Sequence, residues 1–507
     1  MFIRKKQNKS GSISVQIISK SHGRYKIIDS VGIGRTAQEI SNLMLKARAL
    51  LKQHQGTLEL FTDEEDSQYE SILGSITNDQ IQVAGPELIY GRLFDKLGFG
   101  QIPDEMFRHL VLTRLYNPGS KLKAIDYLRN YLGVEKDIHE VYRFLDKLSD
   151  SLKREVEDIS FAYTKRILQD DLGVVFYDMT TLYFESSDED DLRKTGYSKD
   201  GKHHCPQIFL GLLLGYEGNP IGYDIFEGNI FEGNTLIPIL QKFEQRFSLD
   251  KPIVIADAGL LSKSNILLLE ANNYKYILGG RPKNEPEEIK RQILALSLSN
   301  GESTILKKTD TQRIVVSFSE KRAFKDLENR NRGLKRLEKR MKSNRLTKAN
   351  INNKGYNKYL KIQGDVNIEI DYDKYHADMA WDGIKTFVTN TKLKAEDVID
   401  NYRHLWFIER AFRMNKTDLR IRPIYHRLRN RIEAHICISF VAYSIMLELE
   451  RILKKNKSNI SLKQAEELTK RMYQIRMVLP SSGKERLYLL NMDEKQQELY
   501  ALVLKNS

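Results

Sequence analysis

From Pro86 to about Lys165 the apolar residues recur every three or four positions, through PELIYGRLFDKLGF, PDEMFRHLVLTRLY, KLKAIDYLRNYLG and the run ending FAYTKRIL. That spacing predicts a bundle of short helices. The texture then changes. GVVFYDMTTLYFE is a strand, residues 207–229 are two strands around a Gly-Asn-Pro turn, and NTLIPILQKFEQRF is a helix. KPIVIADAG reads as a short buried strand, LLSKSNILLLEANN as a helix and YKYILGG as a strand. Before these, residues 12–30 read as a β-hairpin turning at Ser21-His22-Gly23, and AQEISNLMLKARALLKQH as an amphipathic helix. FTDEEDSQYESILGS (61–75) reads as a polar linker.

The central order is β-β-β-α-β-α-β. A meander of three strands followed by α/β units predicts an α/β fold: a ribonuclease H-like mixed sheet flanked by helices, with the first and fourth strands side by side. Residues 283–384 interrupt it with β-rich pieces such as RIVVSFS and YLKIQGDVNIEIDY, so a mostly β insertion domain is expected. The core resumes with KTFVTN and a long helix from about Lys394. The expected parts are 1–80 (β-hairpin and helix), 81–170 (a helical N-terminal region, rich in Arg and Lys, either DNA-binding or a plain helical scaffold), 171–282 and 385–455 (the two pieces of the core), 283–384 (the basic insertion) and 456–507 (C-terminal helices).

Charge adds a partner. The 507 residues carry a net +13, and residues 321–348 hold 12 Lys/Arg against 3 Asp/Glu. Leu334, Leu337 and Met341 give that stretch an apolar stripe at helical spacing, so a docked helix presenting Lys335, Arg336, Lys339 and Arg340 to a polyanion is expected. The longest apolar late stretch, ICISFVAYSIML, has 12 residues and charged flanks, which predicts a buried helix and no membrane partner. No apolar signal run opens the sequence, and the two cysteines form no CxxC, which fits a cytoplasmic protein. His203, His204 and Cys205 match no zinc spacing and read as a loop.

Asp178 stands inside the first apolar core strand, where an unpaired carboxylate is costly. Asp257 ends the fourth. On neighbouring strands both can project into one site, where like charges repel unless a cation intervenes. Hard carboxylate oxygens suit Mg²⁺ or Mn²⁺, and a pair of such ions handles phosphodiester chemistry. A third carboxylate is needed. At about 100° per helical residue, Tyr402, Trp406, Arg413 and Lys416 all fall within about 60° of Glu409. A carboxylate ringed by aromatic and cationic groups is expected to face a metal and DNA.

YDMTTLYFE, GYSKDGKHHCPQIFLGLLL, IGYDIFEGN, VIADAGLLS, DGIKTFVTN and YRHLWFIERAFRMNKTDLRIRPIYHRLRNRIEAH resemble DDE-type transposases of bacterial insertion sequences. The resemblance spans about residues 30–455. It is strongest to the branch with a mostly β insertion between the second Asp and the Glu and the signature Y-x2-R-x3-E-x6-K. Tyr402, Glu409 and Lys416 match that signature; its Arg position holds Leu405, and Arg413 is the better substitute as a phosphate fork than Arg403.

The resemblance implies cut-and-paste movement of the encoding element in a bacterial cytoplasm, on the nucleoid. Asp178, Asp257 and Glu409 would be catalytic and hold two Mg²⁺, with Mn²⁺ as substitute. Each transposon end would be nicked to a 3′-OH, closed as a hairpin, reopened and joined to target DNA. Trp381 and Trp406 would stack on a flipped base. Arg420 and Arg422, with Arg427, Arg429 and Arg431, would contact phosphates of double-stranded DNA, and the DNA-bound form would be a homodimer. Two rivals remain: a nuclease that does not join strands, and a DNA-binding derivative with decayed chemistry.

Overall fold

The computed structural model describes residues 1–21, 23–54, 73–74, 76–147, 150–169, 172–196, 198, 201–230, 232–247, 251–343, 346, 350–352, 355–363, 367–478 and 483–506. They form two units, Met1–Gln82 with Ile475–Tyr488, and Val83–Gln474 with Leu489–Ser507. Most of the linker read at 61–75 and His22 of the hairpin turn lie outside the described residues.

The first unit holds an antiparallel sheet in the order β1 (Phe2–Gln7), β2 (Ile13–Ser21), β3 (Arg24–Gly34). The anticipated hairpin is β2–β3, with Ser21 opposite Arg24. Strict alternation would bury only one of Ile17 and Ile18. A register shift between them lets both be fully buried under helix α1 (Ala37–His54).

The second unit begins, after β4 (Ile81–Val83), with helices α2 (Arg92–Leu97), α3 (Glu105–Tyr116), α4 (Lys121–Leu132), α5 (Ile138–Lys147) and α6 (Asp150–Ile167). Asp104 and Ser120 cap α3 and α4 by accepting from the Phe107 and Lys123 amides, and Gly98 and Gly133 end α2 and α4 in the left-handed conformation.

The core follows as β5 (Val174–Tyr183), β6 (Gln207–Leu214), β7 (Pro220–Glu227), α7 (Leu236–Phe247), β8 (Ile253–Ala256), α8 (Lys263–Ala271) and β9 (Lys275–Gly279), the order read from the sequence. β5, β6 and β7 are an antiparallel meander, and β5, β8 and β9 run parallel. The first and fourth strands are therefore neighbours. Alternate residues divide the sheet's faces. Phe176, Ile255 and Ile277 join the core under the N-terminal and C-terminal helices; Val175, Tyr177, Val254 and Ala256 pack on α7 and α8.

The insertion departs from the reading as a mostly β domain. It runs α9 (Glu287–Leu294), β10 (Ser303–Lys307), β11 (Arg313–Phe318), α10 (Glu320–Lys342), β12 (Leu360–Gln363), β13 (Asn367–Ile370) and α11 (Tyr372–Ala377). Its longest element is the 23-residue α10, whereas its strands have 4–6 residues. β10 and β11 also leave it to pair, through β14 (Ile384–Thr389), with the core, giving an eight-stranded sheet β10-β11-β14-β9-β8-β5-β6-β7. An apolar strand such as RIVVSFS needs a sheet partner, and β14 offers an open edge. The apolar stripe of α10 does dock: Leu337 is buried with Tyr359, Leu360, Ile370 and Tyr375, and Leu334 and Met341 pack beside it.

After β14 come α12 (Ala395–Arg403), α13 (Trp406–Arg413), α14 (Arg429–Lys455), α15 (Leu462–Thr469) and, last, α16 (Glu494–Asn506). α14 buries the run Ile436–Ile445, as expected of a core helix. Among the described residues no helix is long and apolar enough to cross a membrane.

Candidate active site

β5 and β8 run in parallel with Tyr177 level with Ala256. One residue further along each strand are Asp178 and Asp257. Alternation puts both on the sheet face of Phe176 and Ile255, beneath α12 and α13. Asp178 is half-buried and its Oδ1 accepts the Met179 N–H at 2.7 Å. Asp257 is exposed where β8 ends. Its Oδ1 accepts the Ala258 N–H at 2.6 Å and so caps the following turn. The costly carboxylate in the first strand thus stands at the point where its neighbour stops and solvent begins.

Glu409 is exposed in the first turn of α13. The sequence predicts one continuous helix through this region, and the structure breaks it. Leu405, Phe407 and Ile408 donate to Tyr402, His404 and Leu405 respectively, three residues back, a tightened turn between α12 and α13. The His404 ring stacks on Phe407 at 5.5 Å and bonds Tyr216 Oη at 3.0 Å, pinning the turn, and Leu405 is buried. Consequently the expected stripe divides. Trp406, Glu409 and Arg413 are exposed; Tyr402 is turned inward, its ring edge-on to Phe387 at 4.8 Å; Lys416 is half-buried in a π-helical turn over Met414–Asp418.

Tyr402 nonetheless ties the site together. Its hydroxyl reaches Asp257 Oδ1 at 3.4 Å. Burial raises its phenol pKa first, and Asp257, Glu409 and Asp178 push it further in the same direction. All three carboxylates therefore bear on one hydroxyl. Among the described residues no three His, Cys, Asp or Glu side chains stand close enough to be a closed metal-ligand cluster. The three acids share the neighbourhood of Tyr402. His203 and His204 stand in a turn and Cys205 in the bend that follows.

Two contributors went unread in the sequence. Lys385 places its ammonium 4.6 Å from the Tyr402 ring centroid and 5.1 Å from that of Phe387. Burial depresses its pKa, with Arg322 and Arg403 acting the same way, while Asp257 and Glu409 pull it back up. The signal was present, since Lys385 falls on the core-facing alternation of KTFVTN with Phe387. Gly279 ends β9 beneath Tyr402. A Cβ there would overlap Tyr402 Oη and stand 3.0 Å from the Ala258 amide nitrogen.

A cleft of about 550 Å³ opens from Asp257 and Tyr402 past Lys385 and Arg322 to Trp381. Arg330 grips Asp382 with both terminal guanidinium nitrogens beside Trp381, and Lys283 and Lys358 both bond Asp378. Trp406 does not line this cleft. It is 44% exposed, held by Phe407 at 4.4 Å and the Arg410 guanidinium at 5.7 Å.

The cations read as phosphate contacts are scattered. Lys335, Arg336 and Lys339 are exposed on α10 and Arg340 half so. Arg420 is exposed in the left-handed conformation, and the Arg422 guanidinium lies 5.7 Å from the Tyr183 ring centroid. Arg427, Arg429 and Arg431 instead meet Asp188 at 3.6 Å, Glu433 at 3.0 Å and Asp146 at 2.5 Å.

The family model described as "Transposase DDE domain" matches residues 170–445, more than half of the chain. The chain belongs to the transposase DDE domain family. The match covers all three acids. No curated protein is matched by the sequence. Among solved structures the chain is similar to the piggyBac transposase in its synaptic complex with hairpin DNA, at 10% identity over 76% of each chain and a TM-score of 0.38.

Proposed function

We propose that this DDE-domain protein cuts double-stranded DNA at the ends of its own insertion sequence and joins the freed 3′-OH to target DNA. Asp178, Asp257 and Glu409 are the catalytic carboxylates. The observation that carries this reading is their convergence: Asp178 and Asp257 level on adjacent parallel strands, and both of them with Glu409 acting on the Tyr402 hydroxyl. The strand order, with acids on the first and fourth core strands, supports a ribonuclease H-like core.

The donor set is all carboxylate oxygen, which suits a hard divalent cation; Mg²⁺, with Mn²⁺ as substitute and two ions per site, fits best. Bound there, such ions supply an activated water and charge to stabilise the leaving oxygen. The chain's own residues do the positioning. The Ala258 N–H and Tyr402 O–H fix Asp257. Lys385 faces the same carboxylates and offers its charge to a phosphate crowded against them. Trp381, walling the cleft that opens from Asp257, is suited to stack on a base turned out of the duplex, which favours a cut-and-paste route through a hairpin. The α10 cations, Arg413, Lys416, Arg420 and Arg422 contribute the phosphate-binding surface, the 81–170 helices a further DNA contact, and a DNA-bound homodimer the paired ends.

The test incubates duplexes copied from the DNA flanking the gene with protein, Mg²⁺ and a target plasmid. Cleavage at a defined end, a hairpin-sized species and joined product are expected for wild type and absent for Asp178→Ala. Scattered cuts without joining would indicate a nuclease, and binding without cleavage a DNA-binding derivative.

A further inference from the structure

Far along the chain from the three acids, α4 carries Lys123, Tyr127 and Tyr131 at four-residue intervals, one row on one helix face. Lys121, Ala124 and Leu128 are the residues that α4 buries; of the row, Tyr127 is half-buried and packs against the core, whereas Lys123 and Tyr131 are exposed. Tyr127 and Tyr131 are already stacked, with centroids 4.6 Å apart and planes at 20°, and Tyr116 of α3 extends the row at 4.7 Å from Tyr127. Tyr131 is nevertheless 51% exposed. A stacked pair whose outer ring is half open is a platform awaiting another flat ring.

These rings line a cleft of about 430 Å³ with Tyr473, Lys123 and Asn130. Two features mark it as built for a ligand. Tyr116 lines the cleft, and its hydroxyl is buried without a hydrogen-bond partner, which is costly unless something enters to supply one. The cleft is also close to neutral. Lys470 is bonded by Glu466 at 2.6 Å and Glu467 at 3.4 Å, and Asp126 stands near Lys123 on the wall. A neutral, aromatic, amide-bearing cleft suits a base better than a phosphate. Tyr116, Asn117, Lys123 and Lys470 line both this cleft and a groove of about 870 Å³ that reaches Thr417, Asp418 and Arg420, directly after Lys416. A strand leaving the catalytic helices therefore has a continuous path to the tyrosines.

We propose that this cleft receives an unpaired base of a DNA strand, stacked on Tyr131, with Asn117 and Asn130 for its polar edge and Lys123 for the adjoining phosphate. The inference rests on the DNA reading above. Stacking on an aromatic platform is tolerant of sequence, so the site would hold a frayed or displaced strand rather than read it.

The test measures binding of a single-stranded oligonucleotide of about ten nucleotides, within the usual range for one such site, and of its blunt duplex. Tyr131→Ala is expected to bind the single strand about tenfold more weakly and the duplex as wild type does, while Tyr131→Phe stays within about twofold of wild type on both. Ultraviolet crosslinking of an iodouracil-substituted strand to the wild-type protein is expected to mark α4. Equal binding by Tyr131→Ala, an equal weakening on duplex, or crosslinks confined to other elements would overturn the inference. Wild-type protein that binds and cuts duplex while Tyr131→Ala binds the single strand normally removes this inference alone; protein that binds neither form of DNA removes the DNA reading with it.

Discussion

Gly279→Ala is a small change with a calculable consequence. The added methyl would overlap Tyr402 Oη and stand 3.0 Å from the Ala258 nitrogen and 3.2 Å from Tyr402 Cζ. The Ala258 amide is itself held by Asp257, so the flexible party is the tyrosine. Its hydroxyl must leave the 3.4 Å contact with Asp257. Overpacking of this kind costs about 1–3 kcal/mol. Taken from the placement of Tyr402 and Asp257, that cost slows DNA cleavage roughly ten- to hundredfold. Tyr402→Phe removes the overlapping atom and leaves only the two milder approaches, which a shift of a few tenths of an ångström relieves. Gly279→Ala is therefore expected to cost much less when combined with Tyr402→Phe, with a coupling of about 1 kcal/mol or more between the two sites. Single-turnover cleavage rates of wild type, the two single variants and the double variant measure it. Penalties that add to within about 0.5 kcal/mol would refute the reasoning.

Other outcomes follow from the same geometry. Lys385→Met is expected to lower cleavage by about a hundredfold or more with little change in melting temperature, and Lys385→Arg to recover part of the activity. Burial, then Lys121, Arg431 and Arg114, hold His426 down to about 4, and burial with Arg114, Lys121 and His426 holds His435 well below 6.5. The unfolded chain takes up protons on these histidines before the folded chain does, so stability falls as pH drops from about 6.5 toward 4. Melting temperature against pH should show that fall, and His426→Gln should flatten it. Replacing Lys335, Arg336 and Lys339 with Gln is expected to weaken DNA binding uniformly across sequences. It should also reduce the slope of log affinity against log salt by about one for each phosphate that a removed cation had neutralised.

The core could be read from the sequence because its signals are local. Each strand is an apolar run bounded by turns, and the order alone makes β5 and β8 neighbours, which is enough to bring Asp178 beside Asp257. The glutamate needed one more step, and there a uniform helix was the wrong ruler. Nothing in YRHLWFIER forbids a continuous helix. The turn at His404 depends on Tyr216 and Phe407 packing around it and on Leu405 being buried, all tertiary facts. The insertion misled for a similar reason. The short strand RIVVSFS is real, but which sheet it joins is decided by the open edge of β14, and the docked helix expected around Leu334, Leu337 and Met341 is the longest element there. The ion pairs of Arg429 and Arg431 depend on Glu433 and Asp146, the latter 285 positions from Arg431 in the sequence.

The central claim, that Asp178, Asp257 and Glu409 together hold a divalent metal, is tested most directly by changing each to Cys and varying the metal. A carboxylate ligand replaced by thiolate binds Mg²⁺ poorly and Mn²⁺ better, because the thiolate is the softer donor. The account predicts that all three variants fail to cleave a transposon-end duplex in Mg²⁺ and regain cleavage in Mn²⁺. Wild-type cleavage in Mg²⁺ by any one of them, or no recovery in Mn²⁺ by all three, would contradict it.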